Sequence, residues 1–139
     1  MLDARAWLIW ACAVLVVASS CRNPVYALIA LAIVILCDAA VARDGERRGL
    51  PAPARFALAA VPLSAALSAL VSHLGTTVLC RLPATWPLIG GAITLESLVY
   101  GATNGLLLSL IYGAFALVSR AAAVHDLVRL TPAALHEAG

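Results

Sequence analysis

Apolar residues run along the chain in four blocks, broken by short stretches rich in polar residues, proline or glycine, and the block lengths predict helices. A helix rises 1.5 Å per residue and needs about 20 residues to cross the hydrocarbon core of a bilayer. The first block, Ala6 to Cys21, is slightly short for this; the second is Val25 to Ala42, the third lies within Phe56 to Cys80 and the fourth within Leu95 to Ser119. Only Arg22-Asn23-Pro24 separates the first two, which predicts a tight helical hairpin. Asn23 is suited to cap the second helix and Pro24 to open its first turn, where the missing N–H would have no partner in any case. Between the second and third blocks, Arg43-Asp44-Gly45-Glu46-Arg47-Arg48-Gly49-Leu50-Pro51 reads as a loop. Pro62 leaves two outcomes for the third block: a kink in a helix continuous from Arg55, or residues 55–61 along the interface with the span starting at Pro62. The expected architecture is all-α: a single polytopic transmembrane domain over residues 1–139 with about four transmembrane helices.

Composition agrees with a bilayer and narrows the chemistry. Of 139 residues, 63% are hydrophobic and 12% charged, with a mean hydropathy of +1.00, whereas soluble domains carry about 25% charged residues. Every basic residue is an arginine. The absence of lysine excludes a Walker A nucleotide loop, a lysine Schiff base and a lysine general base. A net charge of +2 without a basic stripe argues against nucleic acid. Cys12, Cys21, Cys37 and Cys80 form no CxxC pair and are expected to be small buried hydrophobes. Ala18-Ser19-Ser20-Cys21 could be read as a lipoprotein cleavage site, but a second apolar run follows at once where a processed protein would carry a polar tether. The arginines set the orientation. With the N-terminus cytoplasmic, Arg5, Arg43, Arg47, Arg48, Arg55, Arg120 and Arg129 lie inside and only Arg22 and Arg81 outside, so both termini are expected to be cytoplasmic in a multi-pass cell-membrane protein.

Small residues recur at every fourth position in the last two spans: Ser97, Gly101, Gly105, Ser109 and Gly113 in the fourth, Ala60, Ser64, Ser68 and Ser72 in the third. Such ridges let helix backbones approach closely, for packing within the chain or for docking another membrane subunit. Ionisable groups inside spans are few. Asp38, one turn from the end of the second span, is expected to pair with Arg43 at the interface. Glu96 follows Thr94, a good N-cap, and sits where the helix dipole favours a carboxylate. His73 has no neighbouring ligand set and reads as a hydrogen-bonded core histidine, and Asn104 needs a partner and suits an interhelical contact. No catalytic pair, cofactor site or metal site emerges, and the chain does not read as an enzyme.

The polar punctuation carries a resemblance. Leu2-Asp3-Ala4-Arg5, Arg22-Asn23-Pro24-Val25-Tyr26, the stretch Gly90-Gly91-Ala92-Ile93-Thr94-Leu95-Glu96-Ser97-Leu98-Val99-Tyr100-Gly101 and Asp126-Leu127-Val128-Arg129-Leu130 resemble, in order, the transmembrane T component of energy-coupling factor transporters, a family that includes the cobalt-transport membrane subunit. The resemblance implies an ABC-type importer whose T component joins two cytosolic ABC ATPase subunits to a substrate-binding membrane subunit for vitamin or transition-metal ion uptake, itself binding neither ATP nor substrate. In the family, cytoplasmic coupling helices with Ala-Arg-Gly type motifs follow the fourth span; residues 120–139 show none, so the expected match is to the N-terminal membrane half. The positions singled out for partner contact or packing are Arg22, Asn23, Pro24, Thr94, Glu96, Gly101, Gly105, Gly113, Asp126 and Arg129. The alternative from another class is a self-contained four-helix membrane scaffold or assembly protein without a transport role.

Overall fold

The computed structural model describes residues 4–20, 22–42, 49–72, 75–83 and 91–121. They form four helices, α1 (Ala4–Ser20), α2 (Pro24–Val41), α3 (Ala52–Val71) and α4 (Leu95–Ala121), and two short strands, β1 (Val78–Arg81) and β2 (Ala92–Thr94). Three helices, α2, α3 and α4, are long and apolar enough to cross a membrane. The fourth, α1, is a shorter apolar helix of 17 residues.

Helix α4 is the hub and packs against all three other helices, most extensively against α3. The reason is its ridge of small residues. Ser97, Gly101, Gly105, Ser109 and Gly113 are all buried. A Cβ built on Gly101 would sit 2.5 Å from the Ser64 carbonyl oxygen and 2.8 Å from Ala65 Cα. One built on Gly105 would lie 2.7 Å from Val61 Cα. The ridge of α4 therefore lies directly on the small-residue ridge of α3, backbone against backbone. At the far end Gly113 faces Val34 of α2 and Pro53 of α3, while Phe56 and Tyr112 stack at 4.3 Å between ring centroids. Helix α2 contributes a single buried stripe, Ala27, Leu31, Val34 and Asp38, the spacing of one helical face. Ala27, Leu31 and Val34 form the main apolar cluster with Ala18, Leu106 and Leu110. The opposite faces are apolar too: Leu28, Ile29, Ile33 and Leu36 of α2 and Leu58, Leu63 and Leu67 of α3 all point outward, an amount of exposed hydrocarbon foreign to a water-facing surface.

The α1–α2 hairpin forms as expected. Asn23 is the N-cap of α2, its Oδ1 accepting the Val25 N–H at 3.0 Å, and Pro24 opens the helix. Helix α3 departs from expectation at both ends. It begins at Ala52, because Pro53 falls in the first turn, where no N–H is needed. It runs on through Pro62, which faces outward, so residues 55–61 form no separate interfacial segment. It ends at Val71 rather than near Cys80, and the apolar residues beyond form β1. The protein is thus not purely α-helical. β1 pairs antiparallel with β2, Val78 opposite Thr94 and Arg81 opposite Ala92, with a bulge between Val78 and Cys80. Gly75, at φ +132°, turns the chain out of α3 in a conformation that favours glycine, and the β-branched run Thr76-Thr77-Val78 then suits a strand. The cysteines are not the buried hydrophobes expected: Cys12 and Cys80 are exposed and Cys37 half-buried. Cys12 lies on the outward apolar surface of α1, whereas Cys80 lies on a strand with every residue exposed. Cys21 and His73 lie outside the described residues.

Candidate functional site

Polar side chains gather at the two ends of the bundle. One end, called here the hairpin end, holds the α1–α2 turn, the β1–β2 hairpin and the start of α4. Thr94 caps α4 there: its Oγ1 accepts the Ser97 N–H at 3.3 Å and donates to the Ser97 hydroxyl at 2.8 Å. The Ser97 hydroxyl in turn donates to the carbonyl of Ser72, the residue that closes α3. Thr94 and Ser97 are both buried, so a short polar chain fastens the end of α3 to the beginning of α4.

Glu96 does more than sit in the first turn. Its Oε1 accepts the Thr77 hydroxyl at 2.9 Å, the Thr77 N–H at 3.1 Å, the Thr76 N–H at 3.2 Å and the Thr76 hydroxyl at 3.3 Å. Oε2 accepts the Thr77 N–H at 3.3 Å. The carboxylate thus replaces the pairing that the backbone of 76–77 lacks as it leaves α3, and a charged acceptor strengthens each bond. The Leu95 N–H reaches back to the Thr77 carbonyl at 3.0 Å, so strand, turn and helix start are one unit. A side chain at position 75 would collide with this carboxylate, which gives Gly75 a second reason to be glycine.

The same end contains a pocket of about 670 Å³ between the α1–α2 turn and α4. Arg22 and Pro24 line it from the turn, and Glu96, Tyr100, Thr103 and Asn104 from α4. Of the two stretches most specific to the resemblance, Arg22-Asn23-Pro24 and Ile93-Thr94-Leu95-Glu96, the residues Arg22, Pro24, Leu95 and Glu96 line this cavity. Asn104 faces outward and, among the described residues, makes no hydrogen bond and glues no helix pair. Thr103 donates its hydroxyl to the Val99 carbonyl at 2.8 Å.

The chain matches no family model, and comparison with curated proteins and with solved structures finds no significant match.

The opposite, arginine-bearing end holds a second polar site. Asp38 is fully buried, and its Oδ1 lies 3.2 Å from Nη1 of Arg120 in the last turn of α4. Among the described residues the partner of Asp38 is Arg120; Arg43, the partner expected from the sequence, lies outside the described residues. A cavity of about 350 Å³ beside this pair is also lined by Arg55 and by Leu50 and Pro51. Sequence reasoning missed this ion pair, although a signal was present: Asp38 continues the stripe Ala27-Leu31-Val34 and so had to face α4. Gly101, Gly105 and Gly113 are spent on contacts within the chain, as their neighbours in α2 and α3 show. Asp126 and Arg129 lie outside the described residues. Among the described residues no three of His, Cys, Asp and Glu are grouped to hold a metal ion.

Proposed function

We propose that the chain is a multi-pass cell-membrane protein acting as the transmembrane coupling subunit of an energy-coupling factor type importer. In this role it joins two cytosolic ABC ATPases to a substrate-binding membrane subunit for vitamin or transition-metal ion uptake. One observation carries the reading: Arg22 and Pro24, from the first turn, and Leu95 and Glu96, from the start of α4, all within stretches that carry the sequence resemblance, line a single pocket at one end of an apolar bundle.

The distribution of charge supports the orientation. Arg55 and Arg120 border one cavity at the end where α2 and α4 finish and α3 begins, and Arg43, Arg47 and Arg48 lie in the sequence between α2 and α3. By the positive-inside rule this end faces the cytoplasm, where the ATPases are, and both termini with it. Arg22 and Arg81 belong to the other end.

A second reading, a self-contained membrane scaffold, is favoured by one observation: the small-residue ridge of α4 is occupied by α3 and leaves little of itself for another subunit. Affinity purification of the chain from its native membranes separates the two. The coupling role predicts co-purification of two ABC ATPases and a small membrane protein; recovery of the chain alone or with a large membrane complex lacking ATPases favours the scaffold.

A further inference from the structure

We propose that the 670 Å³ pocket at the hairpin end binds a zwitterionic phospholipid with a primary ammonium in its headgroup, the phosphate at Arg22 and the ammonium at Glu96. Two opposite charges, from two different elements, line this one cavity. Among the described residues Arg22 has no ion pair, with Glu96 or with any other side chain. Direct contact therefore does not cancel the two charges, and the lining carries a dipole without net charge. Glu96 keeps acceptor capacity for a ligand. Its Oε1 takes the closer bonds from Thr76 and Thr77. Among the described residues Oε2 accepts the Thr77 N–H alone, at 3.3 Å, one bond fewer than its lone pairs allow. A third polar group lies in the same cavity. Asn104 is an exposed primary amide on a helix apolar enough to cross a membrane, and an amide facing hydrocarbon without a partner is costly.

Spacing and charge select the occupant. Glu96, Tyr100 and Asn104 recur at every fourth position and share one face of α4. The eight steps from Glu96 to Asn104 cover about 12 Å of helix axis, so the polar lining runs from the end of the bundle down the side of the span. A concave pocket of this volume is in the range that holds a small molecule. A guanidinium pairs with a phosphate through two parallel hydrogen bonds, and an ammonium satisfies the carboxylate at the same time. Tyr100 adds an aromatic ring to the wall, and such rings attract ammonium groups. Val99 and Leu107 supply apolar walls that suit the first methylenes of acyl chains, and an amide N–H₂ donates to an ester carbonyl. A net-negative headgroup would leave Glu96 without a counter-charge. A quaternary ammonium would match the charge but donate no hydrogen bond to the carboxylate. The cavity beside Asp38 offers no such dipole, since its carboxylate already holds Arg120. This inference concerns the chain alone and does not depend on the coupling role.

The test is native mass spectrometry of the whole chain released from detergent, titrated with phosphatidylethanolamine, phosphatidylglycerol, phosphatidylcholine or water-soluble glycerophosphoethanolamine. The expected result is one tightly held phosphatidylethanolamine, preferred over each of the other two lipids by about tenfold, as one hydrogen bond to a charged group warrants. Glu96→Gln abolishes that preference, whereas a carboxylate that only braced Thr76 and Thr77 would, on removal, weaken all three lipids and keep their order. Arg22→Gln and Asn104→Leu weaken retention of all three, since each lipid carries the phosphate and the esters. Arg55→Gln, an exposed arginine at the other end, changes nothing. The ranking in the unaltered chain and the Arg22→Gln result decide the matter even where Glu96→Gln does not fold. Equal retention of the three lipids, a preference for phosphatidylglycerol or phosphatidylcholine, or retention unchanged in Arg22→Gln overturns the proposal. So does a preference that survives Glu96→Gln or is lost in Arg55→Gln, or glycerophosphoethanolamine binding as tightly as the lipid.

Discussion

Asp38 and Arg120 meet at 3.2 Å and join the end of α2 to the end of α4, the carboxylate fully buried and the guanidinium side chain 29% exposed. The asymmetry of burial predicts an asymmetry of cost. Removing one member of a buried pair leaves the other charge unmatched, at about 3–5 kcal/mol. Asp38→Asn leaves an arginine that still reaches the surface, so its loss falls at the low end of that range. Arg120→Gln strands a carboxylate with no exposure and costs more. The double variant recovers part of the sum, because neither charge is then left alone. Unfolding titrations in detergent check this; additive losses would show that the pair does not interact.

The contact of Gly101 with Ser64 and Ala65 predicts that even one methyl group is too many. Gly101→Ala and Gly105→Ala must push α3 and α4 apart, an overpacking loss of about 1–3 kcal/mol each. Ser68→Gly, opposite Gly101, restores part of the loss in Gly101→Ala but none of that in Gly105→Ala. Gly49→Ala, with nothing within 4 Å of the added atom, is close to neutral. Thermal melts of the four single variants and the two doubles test the pattern, and equal effects at Gly49 and Gly101 would contradict the ridge-on-ridge contact.

Glu96 holds Thr76 and Thr77 across the gap between α3 and β1. Glu96→Gln keeps the shape but loses the charge, and Glu96→Asp keeps the charge but shortens the reach. Both should speed amide exchange at residues 76–77, the aspartate variant most, while exchange in the middle of α4 stays as it was. Were Glu96 a helix-dipole partner only, Glu96→Asp would leave residues 76–77 as protected as in the parent.

Much of this was legible in the residues. Asn23 and Pro24 announced the start of α2 and Thr94 that of α4, and the fourfold spacing of small residues marked close-packing faces on both α3 and α4 without saying that each meets the other. The ends of α3 were harder to read. Pro51 and Pro53 look like loop until one asks which helix position tolerates them, and Val78, Leu79 and Cys80 are as apolar as a helix end although Gly75 and two threonines precede them. The links Asp38–Arg120 and Glu96–Thr77 cross 82 and 19 positions of sequence, and pairing at such range follows from the packed arrangement of the helices rather than from local pattern.

Cys80 supplies a natural probe of orientation, exposed on β1 at the hairpin end. With Cys12, Cys21 and Cys37 replaced, a membrane-impermeant maleimide should label Cys80 in intact cells. A cysteine placed at Gly49, at the arginine-bearing end, should react only after permeabilisation. The reverse pattern would invert the orientation.

The coupling role is tested most directly by photocrosslinking in native membranes from a photoreactive residue at Leu50, which is exposed beside the Arg55–Arg120 cavity. The account predicts a covalent adduct between this position and an ABC ATPase, and none from the same probe at Leu79 in β1. Failure of Leu50 to capture an ATPase, or capture from Leu79 instead, would contradict it.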